Sequence, residues 1–303
     1  MTSFWLRRAQ STGAVIAQVV VTAAVELGAI TLAGAPTSAL VVQSAALLLG
    51  ALIAVGLAFN PWRPGSKGAA VLIGVALAML FATLGDAGSE SVHRWIAVGP
   101  VVLQPASIVL PFVVWAVAVA RTNWWGGALT GAFALVLGIQ PDAASATALL
   151  LALSALAFVK RRVTAPDATA LLMALAATVW AWTRVDPLPA VAYVERVVPV
   201  ALAANATVGI AAGLMLILLP LPFLLKAITA RSQGRTENFA VAIALSGVWI
   251  GLIIGNLFGN YPAPVVGYGA SLVIGWLASL GLCLQRSRPA QTPPSWAISP
   301  RVR

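Results

Sequence analysis

The sequence predicts an all-α, polytopic membrane protein, and its composition and hydropathy pattern carry that prediction. Of its 303 residues, 60% are hydrophobic and only 9% are charged, and the mean hydropathy is +0.96. A soluble globular domain carries about 25% charged residues. The apolar residues moreover form runs of roughly 20, which is the length of helix that crosses a hydrocarbon core ~30 Å thick. A soluble protein is therefore excluded.

Taken in order along the chain, ten apolar segments are predicted to cross the membrane. They cover residues 11–33, 37–59, 68–84, 101–120, 126–139, 143–159, 167–184, 201–225, 238–258 and 268–285. The fifth and sixth segments cannot be one helix, because residues 126–159 would then be about 51 Å long at 1.5 Å per residue. The chain is therefore predicted to turn back at Pro141.

The distribution of basic residues supports this count independently, since cytoplasmic loops are enriched in lysine and arginine. With the N-terminus in the cytoplasm, fifteen of the eighteen basic residues fall on the cytoplasmic side, and only Arg94, Arg184 and Arg196 fall outside. Both termini are thus predicted to be cytoplasmic. The net charge of +10 is spread in short clusters between apolar runs, so a nucleic-acid partner is not expected.

The chain is predicted to form one transmembrane domain, residues 1–285, followed by a cytoplasmic tail. The tail, residues 286–303, is basic and rich in proline and is expected to be disordered. The first apolar run exceeds the ~7 to 15 residues of a signal-peptide core and is expected to remain as an anchor. A single cysteine, Cys283, excludes an internal disulfide and a cysteine-based metal site.

One loop concentrates charge in a protein that otherwise avoids it. Residues 184–196 read R-V-D-P-L-P-A-V-A-Y-V-E-R, with two acids and two arginines between apolar segments. Pro187 and Pro189 prevent a regular helix there, because each lacks an amide donor and restricts the residue before it. We therefore expect an ordered loop that carries chemistry.

The acids are also concentrated on the predicted outer side. Asp167 and Glu237 lie inside, and the acids placed outside are Asp86, Glu90, Asp142, Asp186 and Glu195. Glu26 lies within the first span, where an ionisable group normally faces a cavity or a partner. Two interpretations of Glu26 stay open: a functional acid, or a protonated or hydrogen-bonded structural acid whose partner is Gln43.

Three motifs occur at turns on the predicted outer side. Residues 93–107 read H-R-W-I-A-V-G-P-V-V-L-Q-P-A-S, residues 138–150 read G-I-Q-P-D-A-A-S-A-T-A-L-L, and residues 262–271 read P-A-P-V-V-G-Y-G-A-S. Together and in this order they resemble the motifs of the SEDS family, the FtsW, RodA and SpoVE group. That family carries R-W-I…G…Q-P-S-E, then Q-P-D-x-G-T-A, then P-x-P-F-x-S-Y-G-G-S, on a ten-span fold. The resemblance covers the chain from about Arg94 to the last span.

The resemblance implies an activity and a site. FtsW and RodA polymerise lipid II into glycan strands with an essential aspartate in the large outer loop between spans seven and eight, and Asp186 looks like that position. It would be the general base that takes the proton of the attacking sugar hydroxyl. We expect substrate-binding residues at Arg94, Gln104, Gln140, Asp142, Arg184, Arg196, Tyr268 and Ser271. Of these, the three arginines are suited to neutralise the lipid-linked diphosphate.

The resemblance also implies a location and partners. The substrate would be an undecaprenyl-linked saccharide at the outer face of the bacterial cytoplasmic membrane, and the protein partner a single-span transpeptidase or another cell-envelope membrane protein. A divalent metal such as Mg²⁺ between diphosphate and carboxylate is the one cofactor that this chemistry suggests. We expect residues 262–269, broken by proline and glycine, to face residues 140–142 and Asp186 across an outward-facing groove.

The chain departs from the family pattern at several positions. Where the family has a glutamate and then a lysine after Q-P-S, this chain has Ser107 and Leu110. The large outer loop is reduced to about fifteen residues, and the segment 197–209 lacks the acids of the family's T-D-F-I-F-A-V-x-x-E-E-L-G. Gly267 stands for the motif serine and Ala270 for its second glycine.

These departures leave alternatives open. Asp186 is either a catalytic base or part of a loop ion pair with Arg184 or Arg196, and Asp142 is either a ligand or a helix cap. For the whole protein the hypothesis is a SEDS-like glycosyltransferase of cell-envelope synthesis. The alternative is a non-catalytic membrane scaffold or lipid carrier that kept the groove and lost the polymerase acids. An ion-coupled transporter that uses Glu26 is the third class.

Overall fold

The fold is a bundle of apolar helices with one short hairpin, as seen in a computed structural model that describes residues 2–85, 92–99, 101–120, 122–160, 162–184 and 186–285. The helices are α1 Thr2–Leu32, α2 Thr37–Phe59, α3 Ser66–Leu84, α4 Pro105–Val119, α5 Trp124–Ile139, α6 Ala143–Lys160, α7 Ala165–Trp182, α8 Val197–Ala204, α9 Ala206–Leu218, α10 Leu221–Ser232, α11 Thr236–Phe258 and α12 Ala270–Leu284. Asp86, Glu90 and the tail 286–303, with its predicted disorder, lie outside the described residues.

Within the described residues, seven helical spans are long and apolar enough to cross a membrane, with α9 and α10 joined into one span. The helices α4, α5 and α12 are apolar but shorter. A chain with this many apolar spans is a multi-pass membrane protein, as the composition predicts. The count of ten crossings and the cytoplasmic position of both termini stay predictions.

The predicted fourth segment, 101–120, is wrong at its start. Ile96–Val98 (β1) pairs antiparallel with Val101–Leu103 (β2), and α4 begins only at Pro105. Proline favours the first helical position because its missing amide has no intrahelical partner there, and it keeps the preceding residue extended. Gln104 accordingly has extended backbone and precedes the helix.

The predicted eighth segment, 201–225, is also wrong as a single helix. Asn205 has extended backbone that separates α8 from α9, and its side chain accepts a hydrogen bond from the Val208 amide at 3.2 Å. Asparagine is a strong helix cap, and here it starts a new helix inside an apolar run. Pro220 then separates α9 from α10. At the N-terminus, α1 begins at Thr2, earlier than the predicted residue 11.

Two of the long spans, α6 and α11, pack through small residues. On α11, Gly247, Gly251 and Gly255 recur every four residues and lie directly against alanines of α6, namely Ala144, Ala148 and Ala152. Small residues at this spacing let two helix backbones approach closely, which is the common way that helices associate in a membrane. The glycines of α5 do the same against α7, where Gly127 lies against Pro166 and Gly131 against Met173.

All three motifs come to one end of this bundle. The helices α3, α5, α7 and α11 end there, and α4, α6, α8 and α12 begin there. We call this the groove end. The connections at the opposite end, such as those between α4 and α5 and between α10 and α11, contain none of the three motifs.

Candidate functional site

Arg94 is the centre of a buried polar network at the groove end. Its side chain is 3% exposed and donates from Nε to the Gln140 carbonyl at 3.3 Å and from Nη2 to the Pro141 carbonyl at 2.5 Å. From Nη1 it donates to Asp186 Oδ2 at 2.8 Å. Its guanidinium also lies over the Tyr261 ring, 4.8 Å from the centroid. One arginine thus joins the segment before β1 to three other connections between helices.

Burial by itself lowers the pKa of Arg94, but the charges nearby outweigh it. Asp142, Tyr261 and Asp186 each raise the pKa, and the net direction is upward. Arg94 therefore remains charged, and it can stay in the protein interior because carboxylates and carbonyls compensate it.

Asp186 is held by this arginine. The ion pair is 2.8 Å long and its carboxylate is 8% exposed. The other carboxylate oxygen, Oδ1, accepts from the Leu188 amide at 3.1 Å, which is the local turn that an aspartate stabilises two residues on. The ion pair that was the alternative to catalysis therefore exists, but the predicted partners Arg184 and Arg196 were wrong. Both oxygens of Asp186 are engaged within the protein.

The turn between α5 and α6 is held in a similar way. Asp142 is fully buried, and its Oδ1 accepts from the Ser145 amide at 3.0 Å, the arrangement of a helix cap. Its Oδ2 accepts from Gln104 Nε2 at 2.9 Å. Gln140 donates from Nε2 to Thr83 Oγ1 at 2.6 Å. The structural interpretation of Asp142 is thus seen directly, together with a link to the Q-P-A-S motif.

Tyr261 ties the third motif to this turn. Its hydroxyl donates to the Pro141 carbonyl at 2.9 Å and accepts from the Ala143 amide at 3.0 Å. Burial raises the pKa of Tyr261 to about 12, so its hydroxyl keeps the proton that it donates. Ser271, at the start of α12, accepts from the Gln104 amide at 2.8 Å. The predicted convergence of the three motifs and the loop 184–196 is therefore found.

The groove itself is a cavity of about 370 Å³ above this network. Ligand pockets commonly enclose about 300 to 1,000 Å³ and combine apolar walls with a few polar groups. The groove is lined mainly by apolar residues, and its other lining residues include Gln104, Tyr268, Ser271 and Glu195. Of the predicted site residues, three thus line the groove, and Arg94, Gln140, Asp142 and Asp186 are outside its lining.

Two predicted binding arginines lie elsewhere. Arg184 donates to the carbonyls of Gly138 and Ile139, the latter at 2.9 Å, and stacks on Trp180. It therefore satisfies the carbonyls at the end of α5, a position that suits a positive charge. Arg196 is exposed at the start of α8 and is not among the residues that line the groove.

Among the described residues, Glu195 is the one carboxylate that lines the groove, and it was not among the predicted site residues. Its Oε2 accepts from the Val191 amide at 2.7 Å. Burial raises the pKa of Glu195, and the Val191 amide opposes that shift only in part. A carboxylate with a raised pKa beside a pocket is the arrangement expected of a general acid or base. The sequence feature that could have identified Glu195 as a site residue was its position in the same charged loop as Asp186.

Glu26 is connected to the site by hydrogen bonds through Gln43. The buried Gln43 donates to Glu26 from α2, and its Oε1 accepts from the Gly269 amide at 3.1 Å. The structural partner predicted for Glu26 is thus the observed one. Because Gly269 lines the groove, these two side chains fix one of its walls.

The described residues show no ready-made cluster of metal ligands. Within the described ranges, no three histidine, cysteine, aspartate or glutamate side chains are grouped so as to hold a metal ion. Mg²⁺ that acts on a diphosphate substrate is usually bound by one or two carboxylates together with the substrate phosphates, so Glu195, which lines the groove, could contribute one ligand. We therefore derive no step through a metal held by this chain.

The fold and its site define a multi-pass membrane protein whose interrupted turns meet at one end of a helix bundle. The chain has the fold of RodA. It matches the rod shape determining protein RodA of Thermus thermophilus with a TM-score of 0.61 at 22% identity, covering 89% of this chain and 94% of RodA. A point mutant of the same RodA matches with a TM-score of 0.63 at 21% identity over the same shares.

A further match comes from a peptidoglycan synthase complex described as coordinating polymerization and crosslinking. One of its chains matches with a TM-score of 0.53 at 21% identity, over 88% of this chain and 96% of that one. The sequence matches no family model and no curated protein. The resemblance to the SEDS family is therefore confirmed at the level of the fold, and a shared fold does not by itself define an activity.

Proposed function

We propose that this protein acts on an undecaprenyl-linked saccharide at the outer face of the bacterial cytoplasmic membrane, as a SEDS-like glycosyltransferase of cell-envelope synthesis. The observation that carries the proposal is the groove in a chain with the RodA fold: residues of the first and third motifs line it, and the second motif is linked to them by hydrogen bonds. Its apolar lining suits a lipid-linked donor, and Gln104, Tyr268 and Ser271 offer hydrogen bonds to a saccharide.

The reaction needs one base and one leaving group. A carboxylate takes the proton of the acceptor hydroxyl, the acceptor oxygen forms a bond to the anomeric carbon, and the bond from that carbon to the lipid diphosphate breaks. Asp186 is the position expected from the resemblance, but its carboxylate is engaged by Arg94 and the Leu188 amide. We propose that Glu195 is the base and that Asp186 positions Arg94 beneath the groove.

The alternative is a scaffold or lipid carrier that binds the saccharide without transferring it. The engaged Asp186 favours this alternative, as does Leu110, which is fully buried among apolar residues where the family has a charged residue. In either case, a single-span transpeptidase is the proposed partner, since a chain of this fold is found in a peptidoglycan synthase complex.

One experiment separates these functions. The purified protein in lipid nanodiscs is incubated with labelled lipid II, and glycan strands are resolved by gel. We expect strands from the wild type and from Asp167→Asn, a control acid at the opposite end, but none from Glu195→Gln. Strands from Glu195→Gln and none from Asp186→Asn would instead make Asp186 the base. Lipid II binding without strands in the wild type would support the carrier.

A further inference from the structure

Asn256 is a polar residue inside an otherwise apolar stretch of α11. It lies in the last turn of that helix, at the groove end, and its neighbours in the chain are Ile254, Gly255, Leu257 and Phe258. Asparagine is a poor helix former, and a polar side chain in apolar surroundings is costly unless it is hydrogen-bonded. Asn256 is not among the residues that line the groove. Its role therefore depends on the residues that its side chain contacts.

The amide of Asn256 binds two carbonyl groups outside its own helix. Its Nδ2 donates to the Glu195 carbonyl at 3.3 Å and to the Tyr261 carbonyl at 2.7 Å. Because a carbonyl oxygen only accepts, both bonds require the amide nitrogen with its two hydrogens. Asn256 thus joins the loop 184–196 to Tyr261, whose hydroxyl binds the turn between α5 and α6.

The carbonyl of Glu195 needs a donor from another part of the chain. Glu195 lies just before α8, and in a regular helix a carbonyl accepts from the amide four positions on. That position is Pro199, which has no backbone amide. The helical pattern of α8 therefore cannot supply this bond, and Asn256, 61 positions away, supplies it.

Among the described residues, four hydrogen bonds run from residues 256–268 to carbonyls of the loop 184–196. They join Asn256 to Glu195, Asn260 to Leu188, Ala263 to Val194 and Tyr268 to Tyr193. The bonds from Ala263 and Tyr268 come from backbone amides, which every substitution except proline retains. Asn256 and Asn260 donate from their side chains, and Asn256 holds the end of the loop that carries the proposed base.

Glu195 itself makes three hydrogen bonds that fix its position. Its amide donates to the Val191 carbonyl at 3.1 Å, its Oε2 accepts from the Val191 amide, and its carbonyl accepts from Asn256. The two bonds with Val191 lie within the loop and would move with it. Of the three, the bond from Asn256 is the one that ties Glu195 to another helix of the bundle.

We propose that Asn256 is a positioning residue for Glu195, which it holds at the border of the groove through the backbone carbonyl. This inference rests on the proposed function, in which Glu195 takes the proton of the acceptor hydroxyl. A base has to lie within hydrogen-bond distance of that proton, so a shift of about 1 Å is enough to lower the rate. Because Asn256 is outside the groove lining, lipid II binding should depend on it little.

The first experiment measures how firmly the loop is held, without any substrate. Hydrogen–deuterium exchange of the full chain in lipid nanodiscs is followed by mass spectrometry in peptides that cover residues 186–196. Asn256→Leu removes both donors at similar side-chain size, and we expect faster exchange in these peptides. Asn123→Leu is the matched control without this effect, because Asn123 caps α5 at the opposite end. Unchanged exchange in Asn256→Leu overturns the positioning role.

The second experiment measures glycan synthesis from labelled lipid II. We expect Asn256→Leu to lower kcat by about tenfold to a hundredfold and to change the KM for lipid II by less than about twofold. The acidic limb of its pH profile should move to lower pH, because a released loop is better solvated and the pKa of Glu195 then falls towards its ordinary value. Lower thermal stability with the wild-type kcat and pH profile would show a merely structural role and overturn the proposal.

The outcomes separate this proposal from the proposed function. If the wild type makes no strands, the proposed function fails, and the role of Asn256 in the reaction fails with it. If the wild type makes strands and Asn256→Leu matches it in kcat, only the positioning role fails. If Asn256→Leu does not fold, Asn256→Ser, which keeps one donor for two carbonyls, should show the same changes to a smaller extent, and wild-type behaviour of that variant overturns the proposal.

Discussion

Arg94 and Asp186 lie 92 positions apart in the chain, and their side chains form an ion pair of 2.8 Å in the interior of the groove end. The same guanidinium binds carbonyls of the turn between α5 and α6. The pair therefore fastens the loop 184–196 to that turn. This arrangement makes the connections that carry the groove residues one charged network, although the ion pair itself is outside the groove lining.

The first prediction concerns this pair. Asp186→Ala leaves the buried charge of Arg94 without its acid and should destabilise the protein by about 3 to 5 kcal/mol. The double variant Arg94→Gln with Asp186→Asn should be less destabilised than the sum of its single variants, by roughly 0.5 to 3 kcal/mol. Thermal unfolding in detergent measures both effects. As a control, Arg184→Gln should combine additively with Asp186→Asn, and additivity for Arg94 as well would contradict the coupling.

The second prediction concerns the pH dependence of Glu195. Burial raises its pKa above the ordinary value of ~4.3. Because the raised pKa favours the protonated acid in the folded state, its stabilising contribution is complete below the unfolded pKa and is lost as the pH rises through the folded pKa. Glu195→Gln should therefore show a smaller loss of thermal stability from acid to neutral pH than the wild type.

Glycan synthesis by the wild type should increase over the pH range in which its thermal stability decreases. A general base works only when it is deprotonated, so glycan synthesis should increase as the pH rises through the raised pKa of Glu195. The rate of strand formation measured against pH tests this expectation. A wild-type profile without an acidic limb, or strands from Glu195→Gln with an unchanged profile, would exclude Glu195 as the base.

The third prediction tests whether Asp142, besides capping α6, also affects substrate binding at the groove. Asp142→Ala removes the acceptor for both the Ser145 amide and Gln104, and should destabilise the protein by about 1 to 3 kcal/mol. It should also weaken lipid II binding, because Gln104 lines the groove. Thr164→Ala, which removes the cap of α7 at the opposite end, should lower stability by ~1 kcal/mol and leave binding unchanged. Equal binding by the two variants would show that the cap does not shape the groove.

The fourth prediction concerns the contact between α6 and α11. A Cβ at Gly251 would collide with the backbone of Ala148, so Gly251→Ala should separate the two helices and lower the thermal stability markedly. Gly74→Ala is the matched control, because an added Cβ in the middle of α3 meets nothing within 4 Å. Alanine there should be neutral or slightly stabilising, since it has the higher helix propensity. A similar change in both variants would argue against close packing at Gly251.

The breaks in the helices show which structural features the sequence pattern predicts and which it misses. The turn at Pro141 was predictable because a single helix across it would be too long for a bilayer. The strand Val101–Leu103 was not predictable, because three apolar residues directly before a helix have the same hydropathy as the helix itself. Pro105 was the available signal for the helix start. Asn205 was missed for the same reason, because hydropathy averages hide one polar cap.

The site likewise contains contacts that the sequence predicted and contacts that it did not. Residues 262–269 were predicted to face residues 140–142 and Asp186 across one groove. Tyr261 does contact the turn at 140–142, and Arg94 joins that turn to Asp186, but residues 140–142 and Asp186 are outside the groove lining. The partner of Asp186 was wrong, because Arg184 and Arg196 are near it in the loop whereas Arg94 reaches it only through the packing of α3, α5 and α7. Glu195 was not chosen as a site residue, because its place beside the groove depends on how α8 starts.

The sequence by itself determined that this is a helical membrane protein with its motifs at shared turns, because hydropathy and charge act locally and set where the chain enters and leaves the lipid. Only the tertiary structure decided which charge pairs with which and which carboxylate borders the groove. Those outcomes depend on distances of a few ångströms between the ends of helices that are far apart in the chain, and electrostatic and hydrogen-bond energies are decided at that scale.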